Sequence, residues 1–148
     1  MLDEWLRRYA GQNRRRDTAA TWVITTADDV VVAYASVAVT GIDRSAAPAA
    51  LVKGAPDPVP ALLLGRLAVD RTYAGLGVGT ALTMHVLATA VELNAKAACR
   101  AVVVTALSPT ARTWWERLGF DPFYADDPAE LDFYLLTAEI EATLRAIR

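Results

Sequence analysis

The sequence predicts one α/β domain over residues 1–148, built on a mixed sheet, and three observations lead to this fold class. The chain has 148 residues, which is the size of a single domain. Hydrophobic residues make up 54% and charged residues 22%, a composition that supports a buried core and excludes a disordered chain. Runs rich in β-branched residues alternate with segments of helical periodicity, which is typical of a sheet flanked by helices.

The first sixty residues predict a helix, two strands and a long loop. Apolar side chains at i, i+3, i+4 and i+7 predict an amphipathic helix that ends near Gly11: Leu2, Trp5, Leu6 and Tyr9. The β-rich runs 21–26 and 30–39 flank Asp28-Asp29, which predicts two antiparallel strands joined by a short turn. The segment 41–60 holds four prolines among small residues, and we expect it to be a loop without regular elements.

The middle of the chain predicts a strand, a glycine-rich turn, a helix and a further strand. Residues 61–69 are expected to form a largely buried strand in which Gly65 marks a bulge or a close backbone approach. Residues 101–106 predict the next strand. The helix between them is predicted over 79–95, with two apolar faces: Leu82, Val86 and Leu93 on one, and Met84, Leu87 and Val91 on the other.

The C-terminal third predicts two helices separated by a strand. Ser108 is a favoured cap and Pro109 a favoured first helical residue, so a short helix is expected from there to Leu118, ending at Gly119. A strand is predicted over 131–136. An amphipathic helix is expected from residue 138 onward.

Charge and residue counts exclude several classes of protein. The formal net charge is -2, which argues against a protein that coats nucleic acid by its overall charge. A local basic patch is still compatible with this net charge. One cysteine and one histidine, Cys99 and His85, exclude an intrachain disulfide and a cysteine- or histidine-rich metal cluster, so no metal is expected. The N-terminus has no signal-peptide pattern, and glycines interrupt the uncharged stretch 72–91, so we expect a cytoplasmic chain without membrane spans.

The segment between the strand 61–69 and the next helix carries the clearest chemical signal. Gly75, Gly77 and Gly79 allow a tight turn that presents several backbone N–H groups at a helix N-terminus, an arrangement that binds a pyrophosphate. The alternative is a glycine-rich turn with no ligand. A Walker loop would need Gly-Lys-Ser/Thr, and a dinucleotide fingerprint would need glycine where Thr80 stands, so both nucleotide-binding readings are excluded.

Three segments together resemble the GNAT superfamily of N-acetyltransferases: 64–69, 74–79, and 111–120 with its Trp114-Trp115-Glu116-Arg117-Leu118-Gly119-Phe120. More narrowly, 64–70 and 2–10 resemble GNAT toxins of bacterial type II toxin-antitoxin pairs, which acetylate the amine of aminoacyl-tRNA. The resemblance implies the GNAT fold, a mixed and mostly antiparallel sheet flanked by helices, with acetyl-CoA as co-substrate. The chain begins at what resembles the family's second helix, so the family's first strand and helix are expected to be missing.

The resemblance also implies roles for residues of this chain. Backbone groups of the strand end are expected to pair with pantetheine and to stabilise the oxyanion, and the loop is expected to hold the pyrophosphate. These cofactor-binding residues are Leu67, Ala68, Val69, Ala74, Gly75, Leu76, Gly77, Val78, Gly79 and Thr80. The family usually has Arg or Gln where Ala74 stands, so one side-chain contact is expected to be lost while the amide contacts stay.

A second departure concerns the proton that the leaving CoA thiolate takes up. The family's usual donor is a Tyr at the position of Trp115, and an indole has no accessible pKa. Either the thiolate takes its proton from water or another group donates, with Tyr73 and Tyr124 as candidates. Asp70 and Glu116 are candidate bases, although an Asp after a strand more often caps a turn and a helical Glu is more often solvated.

The acceptor and the partners follow from protonation and charge. An α-amino group is neutral in roughly a tenth of molecules at pH 7, against about one in 2,500 for lysine, so an aminoacyl acceptor needs less help from a base. Seven acids and no base lie in 121–141. Five arginines near the N-terminus are candidate tRNA contacts, the alternative being a solvated helix end paired with the acidic segment or an antitoxin: Arg7, Arg8, Arg14, Arg15 and Arg16.

Three functions are therefore compatible with the sequence. The first is a toxin that acetylates aminoacyl-tRNA, with a ribbon-helix-helix antitoxin as partner. The second is an N-acetyltransferase for a small amine or a protein N-terminus, and the third is a catalytically weak protein that binds acyl-CoA or a partner. Trp5 and Trp22 are expected in the core or at a contact between two copies, which leaves a homodimer open.

Overall fold

The computed structural model describes residues 19–147, and six strands in this range form one sheet. The sheet order is β1-β2-β3-β4-β6-β5. The predicted helix over residues 2–9 and the N-terminal arginines lie outside the described residues. The strands are β1 (Ala20–Thr25), β2 (Val31–Ile42), β3 (Val59–Val69), β4 (Ala101–Thr105), β5 (Asp121–Pro122) and β6 (Asp132–Leu136).

Four α-helices connect or follow these strands. Two short 3₁₀ turns, at Arg44–Ala46 and Arg71–Tyr73, precede α1 and α2. Within residues 19–147, no helix combines the length and the apolar character needed to span a membrane. The helices are α1 (Ala49–Val52), α2 (Val78–Lys96), α3 (Pro109–Arg117) and α4 (Thr137–Ile147).

The sheet is mixed, as the sequence predicts. Strand β1 pairs with β2, and β6 pairs with both β4 and β5, all in the antiparallel direction. β3 and β4 are neighbours joined through α2, which is the crossover connection that parallel neighbours need. Asp70, just after β3, donates its N–H to the Val32 carbonyl at 2.7 Å, so the end of β3 meets the start of β2.

The chain divides into two compact units, and the first comprises residues 19–38 and Leu64–Val86 of the described chain. Its most buried strand is β2, where six consecutive residues, 32–37, are buried. Consecutive burial means that both faces of this strand are covered, which explains its run of small and β-branched residues. Leu82, Thr83 and Val86 are the buried residues that α2 contributes to this unit.

The second unit comprises Val39–Leu63 and residues 87–147 of the described chain. Its core joins α1 to three strands, because the fully buried Leu51 packs with Ala61 of β3, with Ala101 and Val103 of β4, and with Tyr134 of β6. Partly buried side chains extend this core: Ile42, Ala47, Leu63, Phe123 and Leu136.

The expected loop over 41–60 is wrong in its extent and regularity. β2 continues to Ile42, β3 begins at Val59, and a 3₁₀ turn and α1 lie between them. Pro48 does not break α1, because it stands in the cap position with φ of −66°. Pro60 is tolerated near the start of β3, where its carbonyl accepts the Arg100 N–H at 2.8 Å and no donor is needed.

Two smaller expectations also need correction. The strand 61–69 is buried only in its first half, and at Gly65 an added Cβ would meet the Ser36 carbonyl oxygen at an ordinary 3.8 Å, so no close backbone approach is present there. Met84, predicted on an apolar face of α2, is 42% exposed. The buried stripe of α2 instead follows Leu82, Thr83, Val86, Leu87 and Ala90.

Candidate active site

The end of β3 leads into a hydrogen-bonded turn that sets up the glycine loop. Asp70 accepts the Thr72 N–H through its carboxylate at 2.8 Å, which fixes the start of the 3₁₀ turn Arg71–Tyr73. The turn closes when Ala74 donates its N–H to the Arg71 carbonyl at 3.2 Å. Asp70 therefore caps a turn, as one of the two interpretations of the sequence predicts.

Two glycines of the loop adopt a backbone conformation that other residues rarely take. Gly75 has φ of 78° and Gly77 has φ of 80°, both in the left-handed region. A Cβ at either position would meet no heavy atom within 4 Å, so the requirement for glycine is conformational and not steric. The loop therefore exposes backbone on its outer side, where a ligand can approach it closely.

The first turn of α2 adds unpaired amides to this loop. The first bond into the helix runs from the Ala81 N–H to the Gly77 carbonyl at 3.0 Å, so the amides of Val78, Gly79 and Thr80 precede the intrahelical ladder. The preceding loop is exposed, with Leu76 68% accessible. Amides without an intrahelical partner at a helix N-terminus, next to two left-handed glycines, form an anion site suited to a pyrophosphate.

The C-terminal half of β3 adds a backbone edge beside this anion site. β3 has 11 residues but its neighbour β4 has five, so β4 cannot pair along all of β3. The three residues before Asp70 are only partly buried: Leu67, Ala68 and Val69. Their backbone groups are thus suited to hydrogen-bond an extended ligand chain such as pantetheine.

Trp115, at the position of the family's usual acid, is a core residue of the second unit. Its side chain is 6% exposed and makes edge-to-face contacts with Trp114 at 4.7 Å and with Phe120 at 5.2 Å between ring centroids. Such aromatic pairs stabilise the fold by about 0.5–1.5 kcal/mol beyond area burial. The indole N–H is a hydrogen-bond donor only, so this side chain cannot protonate a thiolate.

Two phenols of the second unit have contrasting environments. Tyr124 is 55% exposed and donates its hydroxyl to the Ala46 carbonyl at 3.4 Å, a long and weak hydrogen bond. Tyr134 is buried, and burial, followed by the charges of Asp121 and Glu139, raises its pKa above the ordinary value. Tyr124 is therefore the more accessible of the two as a proton donor.

The remaining candidate groups have structural partners. Glu116 pairs with Arg112 at 3.0 Å on the solvated side of α3, as the solvated interpretation predicts. His85 packs edge-on against the exposed Trp22, with ring centroids 4.6 Å apart. Cys99 is a small buried residue, and burial raises the pKa of its thiol. Within residues 19–147, no three His, Cys, Asp or Glu side chains are grouped so as to hold a metal ion.

One charged residue of the loop escaped the sequence analysis. Arg71 is exposed in the 3₁₀ turn, three residues before Ala74 and four before the first left-handed glycine. A signal was present in the sequence, because Arg71 is the only Lys or Arg between Arg66 and Lys96. A lone cation beside a loop that presents backbone amides is a candidate contact for an anionic ligand.

Together, the sheet, the left-handed glycines and the amides that precede the helical ladder form a site suited to a pyrophosphate-bearing ligand. The sequence profile described as "Acetyltransferase (GNAT) family" matches residues 2–120. The chain belongs to the GNAT acetyltransferase family. The resemblance stated from the sequence is thus confirmed, together with the predicted fold class.

Individual proteins are similar to this chain over most of its length. The chain is 33% identical over 120 residues to the tRNA-acetylating toxin of Mycobacterium tuberculosis (strain ATCC 25618 / H37Rv), covering 81% of this chain and 72% of that protein. AtaT complexed with acetyl-methionyl-tRNAfMet superposes with a TM-score of 0.85 at 24% identity, over 97% of this chain and 85% of that one.

A third relative was solved with two partners. A Tyr-to-Phe mutant of the AtaT toxin, bound to the C-terminus of the antitoxin AtaR and to acetyl-CoA, has a TM-score of 0.81 at 23% identity. The match covers 97% of this chain and 83% of that chain. At these identities, the two AtaT structures establish the shared fold.

Proposed function

We propose that this protein is a toxin that transfers the acetyl group of acetyl-CoA to the amine of aminoacyl-tRNA and thereby blocks translation. The 33% identical relative, named a tRNA-acetylating toxin, supports this substrate. Fold neighbours bound to acetylated tRNA and to acetyl-CoA support the same pair of substrates. Residues 1–148 are treated as one acetyltransferase domain, which stays a prediction.

The observation that carries the proposal is the loop after β3. Gly75 and Gly77 hold the backbone in the left-handed region, and the amides that follow precede the first intrahelical hydrogen bond of α2. Backbone N–H groups can bind a pyrophosphate without a basic side chain, so Ala74 does not remove the site. The cofactor-binding residues proposed here are therefore those of the end of β3 and of the segment 74–80.

The same backbone supplies the chemistry of the transfer. The amine nitrogen attacks the thioester carbonyl, a C–N bond forms, and the C–S bond breaks with the electron pair leaving on sulfur. The nitrogen loses one proton to water, and the sulfur gains one, so the products are the amide and the CoA thiol. A backbone N–H near Leu67 to Val69 would stabilise the oxyanion of the tetrahedral intermediate. Loss of such a donor typically costs about 100- to 1000-fold in rate.

The acceptor amine needs little help from the protein. An α-amino group with a pKa near 7.7–8.0 is neutral in roughly a tenth of molecules at pH 7. The two candidate bases are already engaged, Asp70 with the Thr72 N–H and Glu116 with Arg112. An aminoacyl acceptor therefore fits this site better than a protein lysine, which would need a base.

The departing CoA thiolate needs a proton donor. Trp115 is buried and has no acidic proton to give, whereas the Tyr124 hydroxyl is exposed. This hydroxyl donates a long hydrogen bond to the Ala46 carbonyl, which a closer ligand can replace at small cost. We therefore keep Tyr124 as the proposed donor, with Tyr73 of the 3₁₀ turn as the second phenol.

The partners follow from the substrate and the relatives. AtaT structures contain its antitoxin AtaR, and we propose an antitoxin of the ribbon-helix-helix type for this chain. The proposed contacts for tRNA phosphates are the arginines at positions 7, 8 and 14–16. Charged tRNA is a cytoplasmic substrate, so the reaction is proposed to take place there. A homodimer also stays a prediction.

The experiment combines the protein, labelled acetyl-CoA and tRNA charged with each amino acid in turn. Acetyl-aminoacyl-tRNA formed from one or more of these tRNAs is the expected result. Uncharged tRNA and free amino acids serve as matched controls. Acetylation of small amines or peptide N-termini with all tRNAs inert would replace the tRNA proposal by the second function named above.

A specific observation favours one alternative function. Position 115 holds a buried indole where the family usually has a Tyr acid, which is the pattern of a catalytically weak acyl-CoA-binding protein. This alternative predicts that calorimetry detects CoA binding while no acceptor is turned over. Measurable product with charged tRNA in the experiment above would exclude it.

A further inference from the structure

We propose that Arg71 binds the pyrophosphate of the acyl-CoA substrate, as the positively charged member of a loop otherwise built from backbone amides. The inference rests on the proposed function of this loop and adds a side chain that neither the motif nor the comparisons assign. Within 70–80 the only charged residues are Asp70 and Arg71, so without Arg71 the loop would present a net negative charge to a ligand with two negative charges.

The 3₁₀ turn places Arg71 on the same face as Ala74. In such a turn the side chains at i and i+3 eclipse each other, so Arg71 and Ala74 share one face. The hydrogen bond from the Ala74 N–H to the Arg71 carbonyl, 3.2 Å long, fixes this register. Ala74 is small and lies next to Gly75, where the left-handed segment begins. A long side chain on this face can therefore extend over Ala74 toward the amides.

The availability of the two nearby arginines differs. Arg66, on β3, is already engaged in an interaction of its own. Arg71 is exposed and, among residues 19–147, has no ion-pair or hydrogen-bond partner of its side chain. Asp70, its neighbour, uses its carboxylate for the Thr72 N–H. A guanidinium in this position is available for a phosphate, which it can bind through two N–H groups.

The test measures the Kd of CoA and of 3′-dephospho-CoA by calorimetry on three variants: Arg71→Ala, the double variant Arg71→Ala with Ala74→Arg, and Lys96→Ala. Arg71→Ala is expected to weaken both ligands equally, by about tenfold, because both carry the pyrophosphate. Moving the cation to position 74, on the same face, is expected to restore the Kd to within about threefold of wild type. Lys96→Ala removes an exposed cation from the other end of α2 and is expected to bind like wild type. Thermal unfolding of each variant checks that the fold is retained.

Three results would overturn the inference, and a fourth would remove the proposed function. An unchanged Kd in Arg71→Ala would remove Arg71 from the site, and a raised KM for tRNA in that case would assign it to the other substrate. A loss confined to CoA would assign Arg71 to the 3′-phosphate. Failure of the double variant to recover would contradict the shared face. Absence of CoA binding by the wild-type protein would instead remove the proposed function itself, so the two failures are distinguishable.

Discussion

Replacing Gly77 by Asp tests the assignment of the loop most directly. Gly77 has φ of 80° and no heavy atom within 4 Å of an added Cβ, so a side chain there would project into open space beside the loop amides. Two unit charges 5 Å apart interact by about 3 kcal/mol at an effective dielectric constant of 20, and by under about 1 kcal/mol in water. For this exposed loop we expect a loss of about 1 to 3 kcal/mol, which is about 5- to 150-fold in the Kd of acetyl-CoA.

Backbone strain has to be separated from charge. Any side chain at a left-handed position costs about 1–2 kcal/mol, and Asn and Asp tolerate that conformation comparably. Gly77→Asn is therefore the matched control, since it carries the same strain and shape without the charge. Gly54→Asp is a second control, because Gly54 has φ of 71° and the same open surroundings in a different segment.

The assay is calorimetric titration of acetyl-CoA into the three variants. We expect Gly77→Asp to bind at least about fivefold more weakly than Gly77→Asn, while Gly54→Asp binds like wild type. Raising the salt concentration should narrow the difference between Asp and Asn, because an exposed charge is screened. Equal affinity of the Asp and Asn variants would refute the reasoning, since no anionic group would then lie beside Gly77.

Three further predictions concern proton transfer and stability. Tyr124→Phe should lower the single-turnover rate by about 100-fold with little change in the Kd of acetyl-CoA, and Trp115→Tyr should not raise this rate. If Tyr124→Phe left the rate unchanged and Trp115→Tyr raised it, the thiolate would take its proton from water. Trp115→Ala should cost about 3–5 kcal/mol of unfolding free energy in denaturant titrations and the less buried Trp114→Ala clearly less, whereas equal losses would contradict the core position of Trp115. Burial raises the pKa of the Cys99 thiol above its ordinary 9.0, so the unfolded chain loses this proton first and the unfolding free energy should fall as pH rises above about 9. Cys99→Ala should flatten that slope, and an identical slope in the variant would disprove the assignment.

The elements that the sequence predicts correctly are those whose ends carry local signals. Ser108 accepts the Ala111 N–H at 3.1 Å and Pro109 opens α3. Gly119 follows the helix with φ of 98°. The turn at Asp28-Asp29 likewise forms, with Asp29 in the left-handed region and its N–H donated to Thr26 at 3.0 Å. These features depend on a few consecutive residues, so a single sequence contains the information.

The errors lie where distant contacts decide the structure. Proline content predicts a loop over 41–60, but Leu51 is fully buried against strands that lie far along the chain, and Arg100 donates to the Lys53 carbonyl at 2.6 Å and stabilises the end of α1. Periodicity places Met84 on an apolar face, yet only tertiary packing decides which of two apolar stripes is covered. Neither the burial of Trp115 nor the exposure of Tyr124 has a signal within a few residues.

One part of the candidate site depends on the backbone and another on a single side chain, and the two parts tolerate sequence change differently. Co-substrate binding is assigned to amides fixed by two left-handed glycines and by the start of α2, so Ala74 removes one side chain and leaves the main-chain donors in place. Proton transfer depends on the identity of a single side chain, and at position 115 an indole cannot substitute for a phenol. Departures from the family pattern should therefore act on different kinetic parameters. We expect the residue at position 74 to affect KM for acetyl-CoA, and the residue that donates the proton to affect kcat, because only the second interaction is made in the transition state alone.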